Sequence, residues 1–249
     1  MKQKIVAITG SAKGIGKSIA EKFIEKGAYV ALLDFDKKAG EATEKTMKEA
    51  DGNAFFIQTD VSDYHSLKES RERILEKWGE IDVLIINAGI SYLHSLNDIS
   101  VEEWDRVIKI NLSGSFYTVK TFYKDFSKKT PTDEGKIIFI TSGSAITGTG
   151  GGAHYAASKA GQHGLMRNLA KEFGSSGVNV NAIAPRVIQT DMLDQLYPTT
   201  KSREELIKKI PIGRIGKPED IANLAVFLAS PESSYIHGQI ILSDGGRTY

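Results

Sequence analysis

Residues 4–16 read KIVAITGSAKGIG, and the change of character at Thr9 decides the fold. The run up to Thr9 is apolar on both faces, the pattern of a parallel strand buried on both sides. Thr9-Gly10-Ser11-Ala12-Lys13-Gly14-Ile15-Gly16 follows, and 15–26 reads as a helix that opens at once. Glycine lets a backbone approach a ligand closely, and a helix N-terminus offers unpaired N–H groups and the positive end of its dipole. Strand, glycine-rich turn and helix in this order are either an ordinary tight connection or a cradle for a phosphate.

Two nucleotide readings compete for the turn. Gly16-Lys17-Ser18 would close a P-loop, but that motif needs a glycine five residues before Gly16, where Ser11 stands. Gly10, Gly14 and Gly16 instead give G-x-x-x-G-x-G, a variant of the dinucleotide fingerprint. Asp34 closes the next apolar run 18 residues after Gly16, near the distance of about 20 at which an acid receives a ribose 2′-hydroxyl. Its charge would repel a 2′-phosphate, so the expected cofactor is NAD rather than NADP. Lys13 weighs the other way, since a cation beside the loop could pair with that phosphate, and Asp36 could be only a helix cap.

Outward from this unit the alternation continues. Apolar runs at 28–33, 53–58, 82–87, 136–141, 178–184 and 239–243 read as strands, and 37–50, 63–78, 101–127, 154–173 and 218–229 as helices. The pattern predicts a doubly wound parallel α/β sheet with helices on both faces. No linker, repeat or low-complexity tract divides the chain, so 1–249 is expected to be one domain. The exception to the alternation is 186–213, long enough after its strand to be a substrate lid.

Composition narrows the partners. Lysine and arginine number 32 against 31 acidic residues, a net charge of +1, which gives no reason to expect nucleic acid or an anionic membrane surface. There is no cysteine, which removes disulfides, thiolate metal sites and cysteine nucleophiles. His65, His94, His154, His163 and His237 show no metal-ligand spacing, so no metal is expected, and no G-x-S-x-G points to a serine hydrolase. Apolar runs are too short for a signal peptide or a membrane span, so a soluble, cytoplasmic protein with a small-molecule partner is expected.

Residues 154–161 read HYAASKAG: a tyrosine and a lysine four apart, on one face if helical, among neighbours too small to pack much themselves. Tyr64 to Lys68 and Tyr197 to Lys201 repeat the spacing. The first sits in a charged stretch and the second beside Pro198, so spacing alone does not single out Tyr155.

The ordered set of motifs does. TGSAKGIG (9–16), Asp60-Val61, NAG (87–89), Asn111, Ser142 thirteen residues before Tyr155, YAASK (155–159), GRIGKPEDIA (213–222) and the terminal GQ…DGG (238–246) resemble the short-chain dehydrogenases/reductases over nearly the whole chain. The resemblance implies a single-domain, Rossmann-like fold of seven parallel strands, commonly a homotetramer, that moves a hydride between NAD(P) and an alcohol or carbonyl. It implies that Gly10, Ser11, Lys13, Gly14, Ile15, Gly16 and Asp34 hold the dinucleotide. Asp60 and Val61 would meet its adenine, Asn87, Ala88 and Gly89 its ribose, and Pro185, Ile188 and Thr190 its nicotinamide end. Tyr155 would be the acid or base, with Lys159 favouring its phenolate and binding the nicotinamide ribose. Ser142 would hydrogen-bond the substrate oxygen and Asn111 would hold a relay water.

Arg186 departs from the pattern, which commonly has glycine after Pro185. It would recognise an anionic substrate, or else face solvent or neutralise Asp191 or Asp194. Ser144, with the stretches Ser91–His94, 144–152 and 192–197, would line the substrate pocket. These mix polar and aromatic groups, so the activity expected first is NAD-dependent oxidation or reduction of a polyol, sugar or small hydroxy acid. The alternatives are a 3-oxoacyl-carrier-protein reductase, usually NADPH-dependent, which the chain also resembles, and a non-catalytic dinucleotide sensor.

Overall fold

The computed structural model describes residues 2–130, 132–191, 193, 197 and 199–248. Seven strands, β1 Ile5–Thr9, β2 Tyr29–Asp34, β3 Asn53–Gln58, β4 Val83–Ile86, β5 Lys136–Ile140, β6 Asn179–Pro185 and β7 Ile240–Ser243, form one sheet in the order β3-β2-β1-β4-β5-β6-β7. Every neighbouring pair is parallel. The central strands carry Val, Ile, Leu, Phe and Ala with no exposed face, because helices cover both sides.

The helices are α1 Gly14–Glu25, α2 Lys37–Glu49, α3 Tyr64–Trp78, α4 Val101–Ile108, α5 Gly114–Ser127, α6 Ser144–Thr147, α7 Ala153–Phe173, α8 Thr200–Ile207 and α9 Pro218–Leu228. One core layer joins Ile19 and Phe23 of α1 and Ile221 and Leu228 of α9 to one sheet face. The other joins Ile74 of α3, Phe122 and Phe126 of α5, and Met166 and Phe173 of α7 to the opposite face. The chain winds outward from β1 to β3, then returns to pair β4 with β1 on the other side. That reversal opens a crevice at the carboxyl ends of β1 and β4, where open α/β sheets bind ligands.

Two departures from expectation lie beside the crevice. The helix expected over 101–127 is interrupted by a π-turn at Lys109–Ser113, which divides α4 from α5 and carries Asn111, wholly buried. A short helix, α6, follows β5 and ends at Gly148, whose φ is 67°. In the expected lid, α8 is capped by Thr199, and Leu193, Leu206 and Ile210 form a small apolar cluster. Met192, Asp194, Gln195, Leu196 and Pro198 of that segment lie outside the described residues.

Candidate active site

The turn after β1 is built to be open on its outer side and tight on its inner side. Gly10 and Gly14 have φ of 66° and 54°, in the left-handed region glycine adopts without strain. A Cβ on Gly16 would stand 2.0 Å from the Gly10 carbonyl oxygen, so α1 leaves the turn at a distance no other residue permits. Asn87 Nδ2 donates to the carbonyls of Thr9 (3.1 Å) and Gly10 (2.7 Å), tying the NAG segment to the loop. Lys13, at the N-cap of α1, supplies no side-chain cap, which leaves the first-turn N–H groups for an anion. Loop, glycine packing and free helix end fit the pyrophosphate of a dinucleotide.

At the far end of the loop, Asp34 accepts from Ala12 N (2.8 Å) and Asp36 N (2.9 Å). Lys13 Nζ lies 2.8 Å from Asp36 Oδ2, and Asp36 also caps α2 through Ala39 N. Asp60 and Val61 line the same cleft, with Asp60 Oδ1 accepting from Ser62 N at 2.8 Å. Ser11 is buried and turned inward, its Oγ 3.4 Å from the Leu33 carbonyl oxygen. Beyond β6, Ile188 bridges to Gly216, and the Thr190 methyl would lie 3.5 Å from a Cβ on Gly14, so this segment folds over the loop. Val187, between Arg186 and Ile188, has φ of 60°, a strained setting for a β-branched residue held there by the bond from Gly216 N to its carbonyl oxygen.

Tyr155 and Lys159 lie one turn apart on α7 and are both buried. The small residues beside them let α7 approach its neighbours, and a Cβ on Gly161 would meet Leu112 at 2.8 Å. Lys159 Nζ donates to the Ile140 carbonyl (3.0 Å) at the end of β5 and lies 5.8 Å from the Tyr155 ring centre. Burial pushes the lysine down to about 8. Burial also holds the Tyr155 phenol above its ordinary value, against the opposing hydrogen bond of Ser142. The sequence argument expected the lysine to favour a phenolate; in the structure Lys159 stands beside the ring, and burial is the largest influence on the phenol.

Ser142 follows β5, donates to Ser144 Oγ at 3.1 Å and accepts from Ser144 N at 3.1 Å. Asn111 Oδ1 accepts from Ile90 N (2.8 Å), and its Nδ2 donates to Ile90 O (2.9 Å) and Ser158 Oγ (3.0 Å). The side-chain amide thus fixes the segment after β4 to α7. A Cβ on Gly89 would lie 3.2 Å from Asn111 Oδ1 and 3.4 Å from Lys159 Nζ, which places the two groups against the same glycine.

The fold also assembles groups that sequence reasoning missed. His154, wholly buried, pairs through Nε2 with Glu103 Oε1 (2.8 Å), and His94 Nδ1 lies 2.9 Å from Glu103 Oε2. This network ties the start of α7 to α4 and to the segment after β4. His163 Nε2 lies 3.0 Å from Thr141 Oγ1, and burial pushes its pKa down to about 4, so the ring is neutral at pH 7. Arg186 places Nη2 2.8 Å from Thr149 Oγ1 and Nη1 3.2 Å from Thr248 Oγ1. No linear motif signals these pairs, and all but His94–Glu103 join residues more than twenty apart in the chain. Gly10, Lys13, Gly14, Ile15, Asp34, Asn87, Ala88, Gly89, Ser142, Ser144, Tyr155, Lys159, Pro185, Arg186, Ile188 and Thr190 all face one cleft of about 840 Å³.

A dinucleotide cradle joined to a buried Ser-Tyr-Lys group defines a nicotinamide-dependent oxidoreductase acting at a CH–OH or carbonyl carbon. The family model described as "Enoyl-(Acyl carrier protein) reductase" matches residues 10–248, and the chain belongs to the short-chain dehydrogenase/reductase family. It is 40% identical over 246 residues to the 3-oxoacyl-(acyl-carrier-protein) reductase of Thermotoga maritima, covering 98% of this chain and 97% of that one. It is 37% identical to the enzyme of that name from Chlamydia pneumoniae, covering 99% and 97%. Among solved structures, levodione reductase superposes with a TM-score of 0.92 at 32% identity, over 100% of this chain and 98% of that one. A short-chain dehydrogenase/reductase of Brucella melitensis titled glucose/ribitol dehydrogenase gives 0.92 at 30%, over 100% and 98%.

These relatives correct the activity expected first. The NAD-dependent polyol, sugar or hydroxy-acid dehydrogenase rested on the mixed polar and aromatic character of the loops, which many substrates would satisfy. Curated relatives matched over the whole chain carry the name 3-oxoacyl-(acyl-carrier-protein) reductase instead. Among the described residues no helix is long and apolar enough to cross a membrane.

Proposed function

We propose that the protein reduces the C3 carbonyl of a 3-oxoacyl thioester, the acyl group being carried on an acyl-carrier protein. The observation that carries this reading is the full-length similarity to reductases of that name. The site fits this chemistry, because a phenol is a proton donor at neutral pH, burial raises the Tyr155 phenol further, and carbonyl reduction needs a proton at the new hydroxyl. When bound, the reduced nicotinamide supplies the hydride. Ser142 donates to the ketone oxygen and holds the carbonyl in line. Tyr155 gives its phenolic proton to that oxygen, and the Lys159 ammonium stabilises the phenolate left behind and is placed to hold the ribose hydroxyls. Asn111 keeps this group in register through Ile90 and Ser158.

Lys13, Asp34 and Asp36 meet the 2′ end of the dinucleotide. Two carboxylates beside one lysine, itself paired with Asp36, support NADH. A preference for NADPH, which the resemblance to acyl-carrier reductases implies, would require Lys13 to leave Asp36 for the phosphate. The segment 186–213 acts as a lid over the nicotinamide end, as its fold over Gly14 supports. Exposed apolar residues on α4 and α5 support a homotetramer, and the reading carries a cytoplasmic location with it.

The test is reduction of the 3-oxobutyryl thioester of N-acetylcysteamine, with NADH and NADPH, beside a panel of polyols and sugars. Thioester turnover that falls by about 10²–10⁴-fold in Tyr155→Phe is expected. Oxidation of a polyol or sugar with no thioester turnover would overturn the proposal.

A further inference from the structure

We infer that Arg186 reads the thioester end of the substrate: its guanidinium donates to the C1 carbonyl oxygen of the 3-oxoacyl group while Ser142 and Tyr155 hold the C3 oxygen. The inference rests on the reading of function given above and names the residue that separates a 3-oxoacyl thioester from a plain ketone.

Position comes first. Arg186 directly follows Pro185, the last residue of β6, at the carboxyl edge of the sheet that faces the cleft. Its methylenes lie across Gly143, where a Cβ would meet Arg186 Cδ at 3.2 Å and Cβ at 3.3 Å. Gly143 stands between Ser142 and Ser144, so the arginine passes beside the serine that holds the reacting carbonyl. The phosphodiester of the carrier's pantetheine arm lies at the other end of a long chain and is too far from the reacting carbon to meet a side chain placed here. A C1 oxygen lies only two carbons away.

Charge and donors come second. The guanidinium is anchored by two neutral acceptors, Thr149 Oγ1 and Thr248 Oγ1. Those contacts take two of its five N–H donors, and the others meet no acceptor among the described residues. Asp244 is the described acid whose charge favours the guanidinium, but its Oδ1 and Oδ2 accept from Gly246 N (2.9 Å) and Thr248 N (2.8 Å). Asp191, one of the partners expected from sequence, makes no ion pair with Arg186 in the structure, and Asp194 lies outside the described residues. Arg247 lines the same cleft and adds a second positive charge. A cation that is held in place, carries spare donors and makes no ion pair with a described acid suits a carbonyl oxygen that gains negative character when it accepts a hydrogen bond. Pre-anchoring lowers the ordering cost of that bond.

The experiment compares wild type, Arg186→Met and Arg186→Lys with three probes: the 3-oxobutyryl thioester of N-acetylcysteamine, free 3-oxobutanoate, and dinucleotide binding by nicotinamide fluorescence. Arg186→Met should raise KM for the thioester about 10- to 100-fold, the size expected for losing a charge-assisted hydrogen bond. Dinucleotide affinity should stay within twofold, and Arg186→Lys should recover part of the loss. An unchanged KM in Arg186→Met would overturn the inference, as would an equal loss of dinucleotide affinity, which marks a structural role. A loss confined to free 3-oxobutanoate would also overturn it, since the guanidinium would then be reading a carboxylate. A wild type that turns over no 3-oxoacyl thioester removes the functional reading itself, an outcome distinct from an Arg186 variant that keeps its KM.

Discussion

Burial sets the two titrating groups of the site against their ordinary behaviour. Lys159, pushed down to about 8, carries its full charge only below that pH, whereas an exposed lysine would keep it two units higher. The sign follows from the role proposed for the ammonium: if it stabilises a Tyr155 phenolate formed during reduction, the rate is highest below the lysine's pKa and falls as pH rises through it. A kcat/KM profile for thioester reduction should decline above about pH 8, and Lys159→Met should be slower by about 100-fold across the range. A flat profile from pH 7 to 9.5 would show that Lys159 does not act through its charge. The four-residue spacing placed Tyr155 and Lys159 on one helix face, but Tyr64–Lys68 and Tyr197–Lys201 repeat it, and the ordered set of motifs around the pair was what singled it out. The pKa shifts were not legible there, since they arise from desolvation by β5 and α7 packed together.

Elements differ in how much freedom their glycines leave. In the turn from β1 to α1, Gly16→Ala would drive a methyl to 2.0 Å from the Gly10 carbonyl oxygen, a backbone atom that cannot move without opening the cradle. Dinucleotide affinity should fall at least tenfold by fluorescence titration, and unaltered affinity would mean that the cradle does not bind the pyrophosphate. Gly164 is the opposite case: it is exposed in the middle of α7, and a Cβ there would meet nothing within 4 Å. Gly164→Ala should therefore stabilise the protein by about 0.5–1 kcal/mol in denaturant unfolding, by lowering the entropy lost when α7 forms. Strands and most helices were legible to within a residue or two, because burial on both faces leaves long apolar runs. The π-turn at 109–113 was not, since nothing in the spacing of 101–127 marks a widened turn. It exists so that Asn111 reaches Ile90 and Ser158, contacts that belong to other elements.

On the scale of the molecule, Val101, Trp104, Phe116 and Tyr123 leave apolar surface exposed on α4 and α5, beside the π-turn that carries Asn111. If that face joins subunits, Phe116→Glu should dissociate the assembly in sedimentation velocity and lower activity in parallel, since disturbing α4 and α5 disturbs Asn111 and Glu103. A wild type that sediments as a monomer would remove the tetramer from the proposal.

By itself the sequence determined the parallel α/β sheet and its glycine-rich first turn, because both are written in short-range features, apolar runs and glycine spacing; Ser142, Tyr155 and Lys159 were picked out by the order of motifs along the whole chain. Tertiary structure decided the burial of Tyr155, the pairing of His154 and His94 with Glu103, and the anchoring of Arg186 by Thr149 and Thr248, which stand 37 and 62 residues from it. Loop residues had suggested a sugar or polyol, and relatives matched along the whole chain named a different substrate. The physical reason is common to both: burial, charge and the shape of a pocket are sums over residues distant in sequence, and only the folded chain brings their terms together.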